Sequence, residues 1–402
     1  MSDTILVINA GSSSIKFQLF AIVPGEQLDR RLKGQIEGIG TRPRLIASDA
    51  NGQRVVDRSL GTDEVGELHH ALDTLVVFLR EYVGRLPVAI GHRVVHGGPE
   101  FIEPTLLNSR VLDHLQRFVP LAPLHQPNNL APIRIVLERQ PHLLQVACFD
   151  TAFHRHHSEI ADRYAIPDRF YREGVRRYGF HGLSYEYIAS RIPQVAPEIG
   201  DHRVVVAHLG SGASMCALQG GKSIESSMGF TALDGLPMGT RPGQIDAGVV
   251  LYLMNEKGMS VKDVEHFLYN DCGLKGLSGI SNDVRDLLSS VDPRARLALD
   301  YFAYRIALFG GMLATALGGI DGLVFTAGIG ENAPAIRRAV VDRMSCFGIE
   351  LSEIANEKNQ LRISSDGSRV GCYVVPTDEE LMIARHTLQM LQKQKMPKEK
   401  RA

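Results

Sequence analysis

The stretch Ile5–Leu19, ILVINAGSSSIKFQL, and the stretch Val204–Leu218, VVVAHLGSGASMCAL, match at a constant spacing of 199 residues (204 − 5), about half of the 402-residue chain. Ile5 falls on Val204, Gly11 on Gly210 and Ser12 on Ser211. Each copy is an apolar run of strand character, a Gly-Ser turn and a second strand. Together with the length, this points to a duplicated α/β domain. Two facing hairpins would direct glycine-rich turns into one cleft, where backbone N–H groups bind an anion.

Outward from these hairpins, strand-like and helical segments alternate along the chain. The sequence predicts strands at Ile5–Ile8, Ile15–Phe20, Val146–Phe149, Leu323–Thr326 and Val370–Val375. It predicts helices over Arg110–Phe118, Asn128–Glu138, Leu297–Leu317 and Glu379–Gln392. The turn Ala10–Ser14 joins the first two strands, and AGIGEN (Ala327–Asn332) reads as a turn between a strand and a helix. The length allows two domains, or three, each with its own core.

Composition excludes several classes. Lys plus Arg number 44 against 45 Asp plus Glu, a net charge of −1, so there is no basic field for a nucleic-acid backbone. Hydrophobic residues make up 44% and charged residues 22%, which excludes wholesale disorder. Five cysteines without CxxC or CxxH spacing suggest neither disulfides nor zinc, and a reducing, cytoplasmic setting is the simplest expectation. MSDTILVINAG has no basic n-region and is not read as a signal peptide. The uncharged run Ile306–Ile320 is shorter than the ~20 residues of a bilayer span, so no membrane partner is expected and the run reads as a buried helix. The basic tail QKQKMPKEKRA reads as a solvated end.

Eight motifs carry candidate chemistry. In NAGSSSIK (Asn9–Lys16), small residues would admit a phosphate, hydroxyls would donate and Lys16 would add a charge. It lacks the GxxxxGK[ST] pattern, and an ordinary Ser/Gly hairpin turn explains it equally. GHRVVHGG (Gly91–Gly98) sets Arg93 and two histidines at a strand end, an arrangement for gripping a carboxylate or phosphate, or a core His with a surface Arg. In FDTAFH (Phe149–His154), Asp150 ends a buried strand, where α/β proteins place functional carboxylates. His154, His156 and His157 are not read as a metal site, since no acidic ligand pattern accompanies them. YGFHG (Tyr178–Gly182) and AHLGSG (Ala207–Gly212) put histidines beside glycines. MGTRPG (Met238–Gly243) holds Arg241 in a tight turn. AGIGEN would direct a helix N-terminus at a phosphate or adenosine. For PTDEE (Pro376–Glu380), capping by Thr377 accounts for the pattern alone.

In this order NAGSSSIK, GHRVVHGG, FDTAFH, RRYGFHG, HLGSGAS, GTRPG, GIGEN and PTDEE resemble the acetate kinase family, over roughly Thr4 to Leu388. The resemblance implies an actin-like, sugar-kinase-like duplicated fold, with an N-terminal domain over 1–150 closed by 380–402 and a second domain over 151–379. It implies ATP/ADP, Mg²⁺ (or Mn²⁺), a homodimer, and reversible γ-phosphoryl transfer to a short-chain carboxylate, acetate or propionate. By the same resemblance Asn9 and Glu379 would hold the metal. Lys16, with Ser12 and Ser14, would contact the nucleotide phosphates. Arg93 would bind the substrate carboxylate, and Val95, Leu124, Phe180 and Ala232 would surround its alkyl group. Asp150 would be the catalytic acid or base, and His181 and Arg241 would stabilise the transition state. ATP would lie against His208, Leu209, Gly210, Ser211 and Gly212, against Asp283, Val284 and Arg285, and against Gly328, Ile329, Gly330, Glu331 and Asn332.

Five positions depart from that family pattern: Ser211 where Asn is frequent, Gln244 and Ala247 where Asp and Pro are common, Ala327 for a frequent Gly, and Ala232 for a frequent Pro. Gln244 removes a negative charge beside Arg241. Ala232 enlarges the alkyl pocket, which favours propionate, since each buried CH₂ is worth about 0.8 kcal/mol. A carboxylate substrate is already ionised at neutral pH, so no general base is required and Asp150 is expected to orient Arg93 or a metal-bound water. Direct in-line transfer is expected over a phospho-Glu379 intermediate. The apolar pocket argues against a sugar kinase. The apolar helix near Leu297–Leu317 puts the dimer surface in the second half.

Overall fold

A computed structural model describes residues 2–25 and 27–395, so most of the basic tail, 396–402, lies outside the described residues. Two compact units divide the chain: Met1–Ala152 with Asp378–Ala402, and Phe153–Thr377.

In the first unit, β1 (Thr4–Ala10), β2 (Ile15–Val23), β3 (Gln27–Glu37), β4 (Arg44–Asp49) and β5 (Arg54–Ser59) run as a meander. β6 (Ala89–Val94), β7 (Thr105–Leu106) and β8 (Leu144–Phe149) complete a sheet of order β5-β4-β3-β2-β1-β6-β8-β7. β1 pairs antiparallel with β2, and β6 lies parallel to both β1 and β8. Leu6, Ile8, Ile15, Phe17 and Leu19 alternate onto one face and pack with Leu72, Leu75 and Leu79 of the helix Leu68–Val83. The helix Glu379–Lys395 covers the other face. It approaches Gly91 so closely that a Cβ there would stand 2.4 Å from Thr387 Oγ1 and 2.5 Å from Ile383 Cγ2. The C-terminal helix therefore belongs to the same unit as the first strand.

In the second unit, β9 (Arg203–Leu209), β10 (Ala213–Gln219), β11 (Lys222–Ser226), β12 (Gly322–Thr326) and β13 (Gly371–Val374) form a sheet of order β11-β10-β9-β12-β13. β9 and β10 are antiparallel, and β12 is parallel to β9 and β13. This repeats β3-β2-β1-β6-β8 strand for strand, so the spacing of 199 residues reflects a true structural repeat. One face packs Val204, Val206, Cys216 and Leu218 against the helix Gly182–Val195. The other receives the 24-residue helix Pro293–Ala316, where Gly310 lets Met215 and Met344 approach.

The predicted elements occur with shifted ends. The helices span Ser109–Gln116, Gln126–Arg139, Pro293–Ala316 and Glu379–Lys395. The long one starts before Leu297 because Asp292 accepts a hydrogen bond from Arg294 N at 2.8 Å and Pro293 fills the first turn. Two local readings are corrected. AGIGEN is not a turn but a short helix, Ala327–Asn332, whose Glu331 side chain accepts from Ala327 N at 2.9 Å. The last helix is capped by Asp378, which accepts from Leu381 N at 3.0 Å, and not by Thr377, whose hydroxyl is engaged by Ser184. Among the described residues, Pro293–Ala316 is the one helix long and apolar enough to cross a membrane. Half of its most apolar window is buried in the unit, as in a core helix.

Candidate active site

In the first unit, Arg93 is the next-to-last residue of β6 and β8 ends just before Asp150, so adjacent parallel strands deliver both side chains to the same end of the sheet. Arg93 donates from Nε to Asp150 Oδ1 (3.0 Å) and from Nη2 to Oδ2 (2.6 Å), a two-pronged pair with Asp150 only 2% exposed. Glu379 Oε2 stands 3.9 Å from Arg93 Nε. Burial opposes the Arg93 charge, but Asp150 first, then Glu379, hold its pKa above the ordinary value. Burial raises the Glu379 carboxyl to about 7; Arg93 and Lys16 pull it down, and Asp150 and Glu380 push it up. Asn9 is paired in register with Lys16 across the β1–β2 hairpin, and Lys16 is exposed. Asn9, Lys16, Arg93, Asp150 and Glu379 thus share this unit.

The turn itself is open. Gly11 N donates to Ser14 O at 2.8 Å, and Ser12 is exposed. A Cβ on Gly11 would meet nothing nearer than 3.6 Å, so this unit's packing does not itself demand glycine there. Val95 is buried and Leu124 is 44% exposed. Val95 is fixed by Asn129, which accepts from Val95 N (3.0 Å) and donates to Ala10 O (2.8 Å). Asn129 ties the Arg93 strand to the Gly-Ser hairpin, and it was not singled out from sequence. Of the two histidines of GHRVVHGG, His92 is buried against Gln145 Oε1 (2.8 Å), and burial lowers its pKa to about 4. His96 Nδ1 accepts from Gly98 N at 2.9 Å.

A hard cation fits the first unit's donors. The Asn9 amide and the Glu379 carboxylate are oxygen ligands of the kind Mg²⁺ takes. Glu379 is a partly exposed carboxyl, raised by desolvation, whose ionised form a nearby cation would favour.

In the second unit, His181, His208 and Arg241 converge on the Gly210–Gly212 turn. His181 has φ +57°, a left-handed backbone at the start of the helix Gly182–Val195. Its ring stacks on His208 with centroids 4.2 Å apart and planes at 16°. A Cβ on Gly212 would lie 3.1 Å from both Arg241 Nη2 and His181 Nε2, so glycine leaves the space these two groups use. Burial lowers the Arg241 pKa, and Arg241 Nη1 donates to Ala232 O at 2.8 Å. The Arg241 turn is fixed by Met238 N donating to Arg241 O (2.9 Å) and Cys272 N donating to Thr240 O (3.0 Å). Phe180 is buried and Ala232 half-buried. Leu209 is buried and Ser211 exposed.

Asp283 caps the helix Val284–Ser289 and pairs with Arg285, whose side chain is 89% exposed. The hydrogen bonds of Arg285 lower the Asp283 pKa to about 2. Gly328 is exposed, Ile329 half-buried and Gly330 buried on the short helix that ends at Asn332. Behind it, fully buried Arg337 donates to Gly330 O (2.9 Å), Glu331 O (3.1 Å), Asn356 Oδ1 (2.8 Å), Asn356 O (2.6 Å) and Asn359 Oδ1 (2.6 Å). Its five N–H groups meet five neutral oxygens. Arg337, Ser184, Ser214 and Tyr185 were missed from sequence. The one signal among them is Ser214, a polar residue inside the otherwise apolar run ASMCAL.

One further reading changes. Gln244 does not face Arg241; its Oε1 accepts from Arg305 Nη2 at 2.6 Å on the long helix. His154 is held by Ser223 Oγ (2.8 Å) and Phe180 O (3.0 Å), and His157 by Ser223 Oγ (2.7 Å), so these rings brace the FHG segment.

A sequence profile of the acetokinase family matches residues 4–385. An acetate kinase of Nitrobacter hamburgensis is 60% identical over 389 residues, covering 97% of this chain and 96% of that protein. One from Rhizobium meliloti is 56% identical, with coverage of 97% and 98%. Among solved structures, an acetate kinase from Porphyromonas gingivalis matches with TM-score 0.87 and 36% identity (97% and 100% covered). A propionate kinase from Francisella tularensis matches with TM-score 0.89 and 36% identity (96% and 99% covered).

Proposed function

The chain belongs to the acetokinase family, and on that premise we propose that it transfers the γ-phosphoryl group of ATP to acetate, reversibly, giving acetyl phosphate and ADP. The observation that carries this reading is 60% identity to an acetate kinase across 97% of the chain. The geometry supports it. Transfer to a carboxylate requires positioning and neutralisation of anions rather than proton removal, because acetate is already ionised.

In the first unit, Asp150 occupies Arg93 Nε and Nη2 and so aims the Nη1 edge at the substrate carboxylate. Asp150 is an orienting group in this scheme, not a base. Asn9 and Glu379 would hold Mg²⁺, which supplies charge neutralisation of the nucleotide phosphates when bound. Lys16, with Ser12 and Ser14, would contact those phosphates. In the second unit, His181 and Arg241 would stabilise charge on the transferring group. His208 to Gly212, Asp283 to Arg285 and Gly328 to Asn332 would bind the nucleotide. An oxygen of the carboxylate bonds to Pγ as the bond from Pγ to the β,γ-bridging oxygen breaks, and that electron pair leaves on ADP. No phosphoenzyme forms on Glu379.

A homodimer is part of the proposal. On the helix Pro293–Ala316, Leu297, Tyr301, Tyr304, Leu308 and Met312 form an exposed stripe at helical spacing. The helix Ala247–Asn255 buries none of its residues within the unit. A second copy is the occupant that this apolar face suits.

The test is hydroxylamine trapping of acyl phosphate with ATP, Mg²⁺ and acetate, propionate, butyrate or glycerol. Acetate is expected to lead. Propionate leading would move the substrate and keep the roles. Ala232 supports that second reading, and Ala232→Pro is expected to lower propionate use relative to acetate. ATP hydrolysis without acyl phosphate would refute the function, and a kinetically competent hydroxylamine-sensitive label on the enzyme would refute direct transfer.

A further inference from the structure

The two stacked histidines of the second unit are backed by the same construction. His181 Nδ1 meets Ser214 Oγ at 2.8 Å, and Ser214 Oγ meets the Tyr185 hydroxyl at 2.5 Å. His208 Nδ1 meets Ser184 Oγ at 2.8 Å, and Ser184 Oγ meets Thr377 Oγ1 at 2.8 Å. Ser184 and Ser214 are fully buried. The opposite ring edges face one turn: a Cβ on Gly212 would stand 3.1 Å from His181 Nε2, and one on Gly210 would stand 3.9 Å from His208 Nε2. Thr377 is itself fixed, since its N–H donates to Glu331 Oε1 at 3.2 Å, the same oxygen that accepts from Ala327 N.

We propose that Ser184 and Ser214, each oriented by a second hydroxyl (Thr377 and Tyr185), are positioning residues that hold His208 and His181 in the Nε2–H tautomer, presenting two parallel donors at the Gly210–Gly212 turn. The inference rests on the phosphoryl-transfer reading above.

Proton accounting fixes the order of donation. A hydroxyl owns one proton and accepts others. If Ser214 donates to His181 Nδ1, Tyr185 must donate to Ser214, and a phenol is the stronger donor of the pair. If Ser184 donates to His208 Nδ1, Thr377 must donate to Ser184. In that order each imidazole carries its proton on Nε2, toward the turn. The reverse order turns two lone pairs toward the place where phosphoryl oxygens would sit, and oxygen anions need donors. The tautomer of an imidazole is set by the bond its other nitrogen makes. Because Thr377 is held by the Glu331 side chain, the His208 relay is also tied to the AGIGEN segment.

The experiment uses the full chain with ¹⁵N-labelled histidine. Ring signals of His181 and His208 among the 15 histidines are assigned with His181→Gln and His208→Gln. Both rings are expected as Nε2–H in the wild type. Ser184→Ala is expected to release the His208 tautomer and leave His181 unchanged, and Ser214→Ala the reverse. Each is expected to lower kcat about tenfold or more while KM for acetate stays within about twofold, since a wrong tautomer removes a donor and leaves the binding groups in place. Thr377→Ser is expected to keep both the signature and kcat, and Thr377→Val to lose them. Thr377→Val replaces Ser184→Ala if the latter does not fold. Nδ1–H rings in the wild type, or unchanged kcat in both serine variants, would overturn the proposal. Absence of acyl phosphate from the wild type would instead overturn the functional reading, while the ring signals, which need no substrate, still decide the proton order.

Discussion

Gly212 is the residue whose side chain, or lack of one, says most about the second unit. Its missing Cβ leaves 3.1 Å to Arg241 Nη2 and to His181 Nε2, tighter than nearly all real Cβ contacts. Gly212→Ala would push both groups back by a few tenths of an ångström. We expect kcat to fall about tenfold to a hundredfold, because small misplacement of positioned groups is costly, with thermal stability nearly unchanged. Equal kinetics in the variant would mean that Arg241 and His181 do not act at this turn. Arg93 is the opposite kind of residue, needed by its neighbours as much as by a ligand. Arg93→Ala would leave buried Asp150, and the partly exposed Glu379 beside it, without their cation, and a cost of about 3–5 kcal/mol in urea unfolding is expected. At this scale the sequence was most informative where a glycine or arginine sits in a motif. It was silent about Ser184, Ser214, Asn129 and Arg337, whose roles depend on partners far away in the chain. The Gln244 reading failed for the same reason: adjacency to Arg241 in sequence did not predict that its side chain turns to Arg305.

Elements were legible where periodicity is strong. The β1–β2 and β9–β10 hairpins, the parallel strands β6, β8 and β12, and the long apolar helix follow from apolar runs and turn residues. The meander β3–β5 was not read, because QLDRRLKGQIE and RVVDRS carry many charges, and only one side of these strands packs on the core. AGIGEN was misread because glycine suggests a turn, whereas Glu331 and Arg337 close a helical segment from both ends. Ala327 begins it with φ +65°, a conformation that an L residue adopts at a cost of about 1 kcal/mol. The frequent family glycine would avoid that cost. The helix Pro293–Ala316 carries a prediction of its own. Its buried side, Phe302, Ile306, Phe309 and Leu313, belongs to the core, and Leu308 on the other side is 47% exposed. Leu308→Asp should therefore leave the fold within about 0.5 kcal/mol while dissociating the proposed dimer, read by light scattering against the wild type. A variant that remains dimeric would move the interface off this helix.

Across the whole molecule, the duplication was visible in sequence because the repeat preserves strand, turn and strand, while the charged edge strands and the helices between them have diverged. The two units also share a dependence on pH. His92 in the first unit and His154 in the second are fully buried, and burial lowers each pKa to about 4. Burial lowers His157 to about 2. An unfolded histidine takes up a proton near pH 6.5, whereas these stay neutral in the native state. Below that pH the unfolded chain binds more protons, so stability is full above about pH 6.5 and is lost as pH falls toward the native values. By pH 5 each of the three costs about 2 kcal/mol. Glu379 works the other way. Its native carboxyl, raised to about 7, binds a proton before the unfolded one does, and so adds stability as pH falls through the same range. Asp162 and Glu225, which burial also raises, act in the same direction as Glu379 by smaller shifts, and the three histidines are expected to outweigh these carboxyls and set the sign of the net slope. In metal-free buffer the urea midpoint is expected to drop between pH 7 and pH 5. His92→Gln, which keeps a partner for Gln145, should shrink that drop by about 2 kcal/mol. A midpoint that is flat or rises toward pH 5 would mean that these rings are already charged in the folded protein.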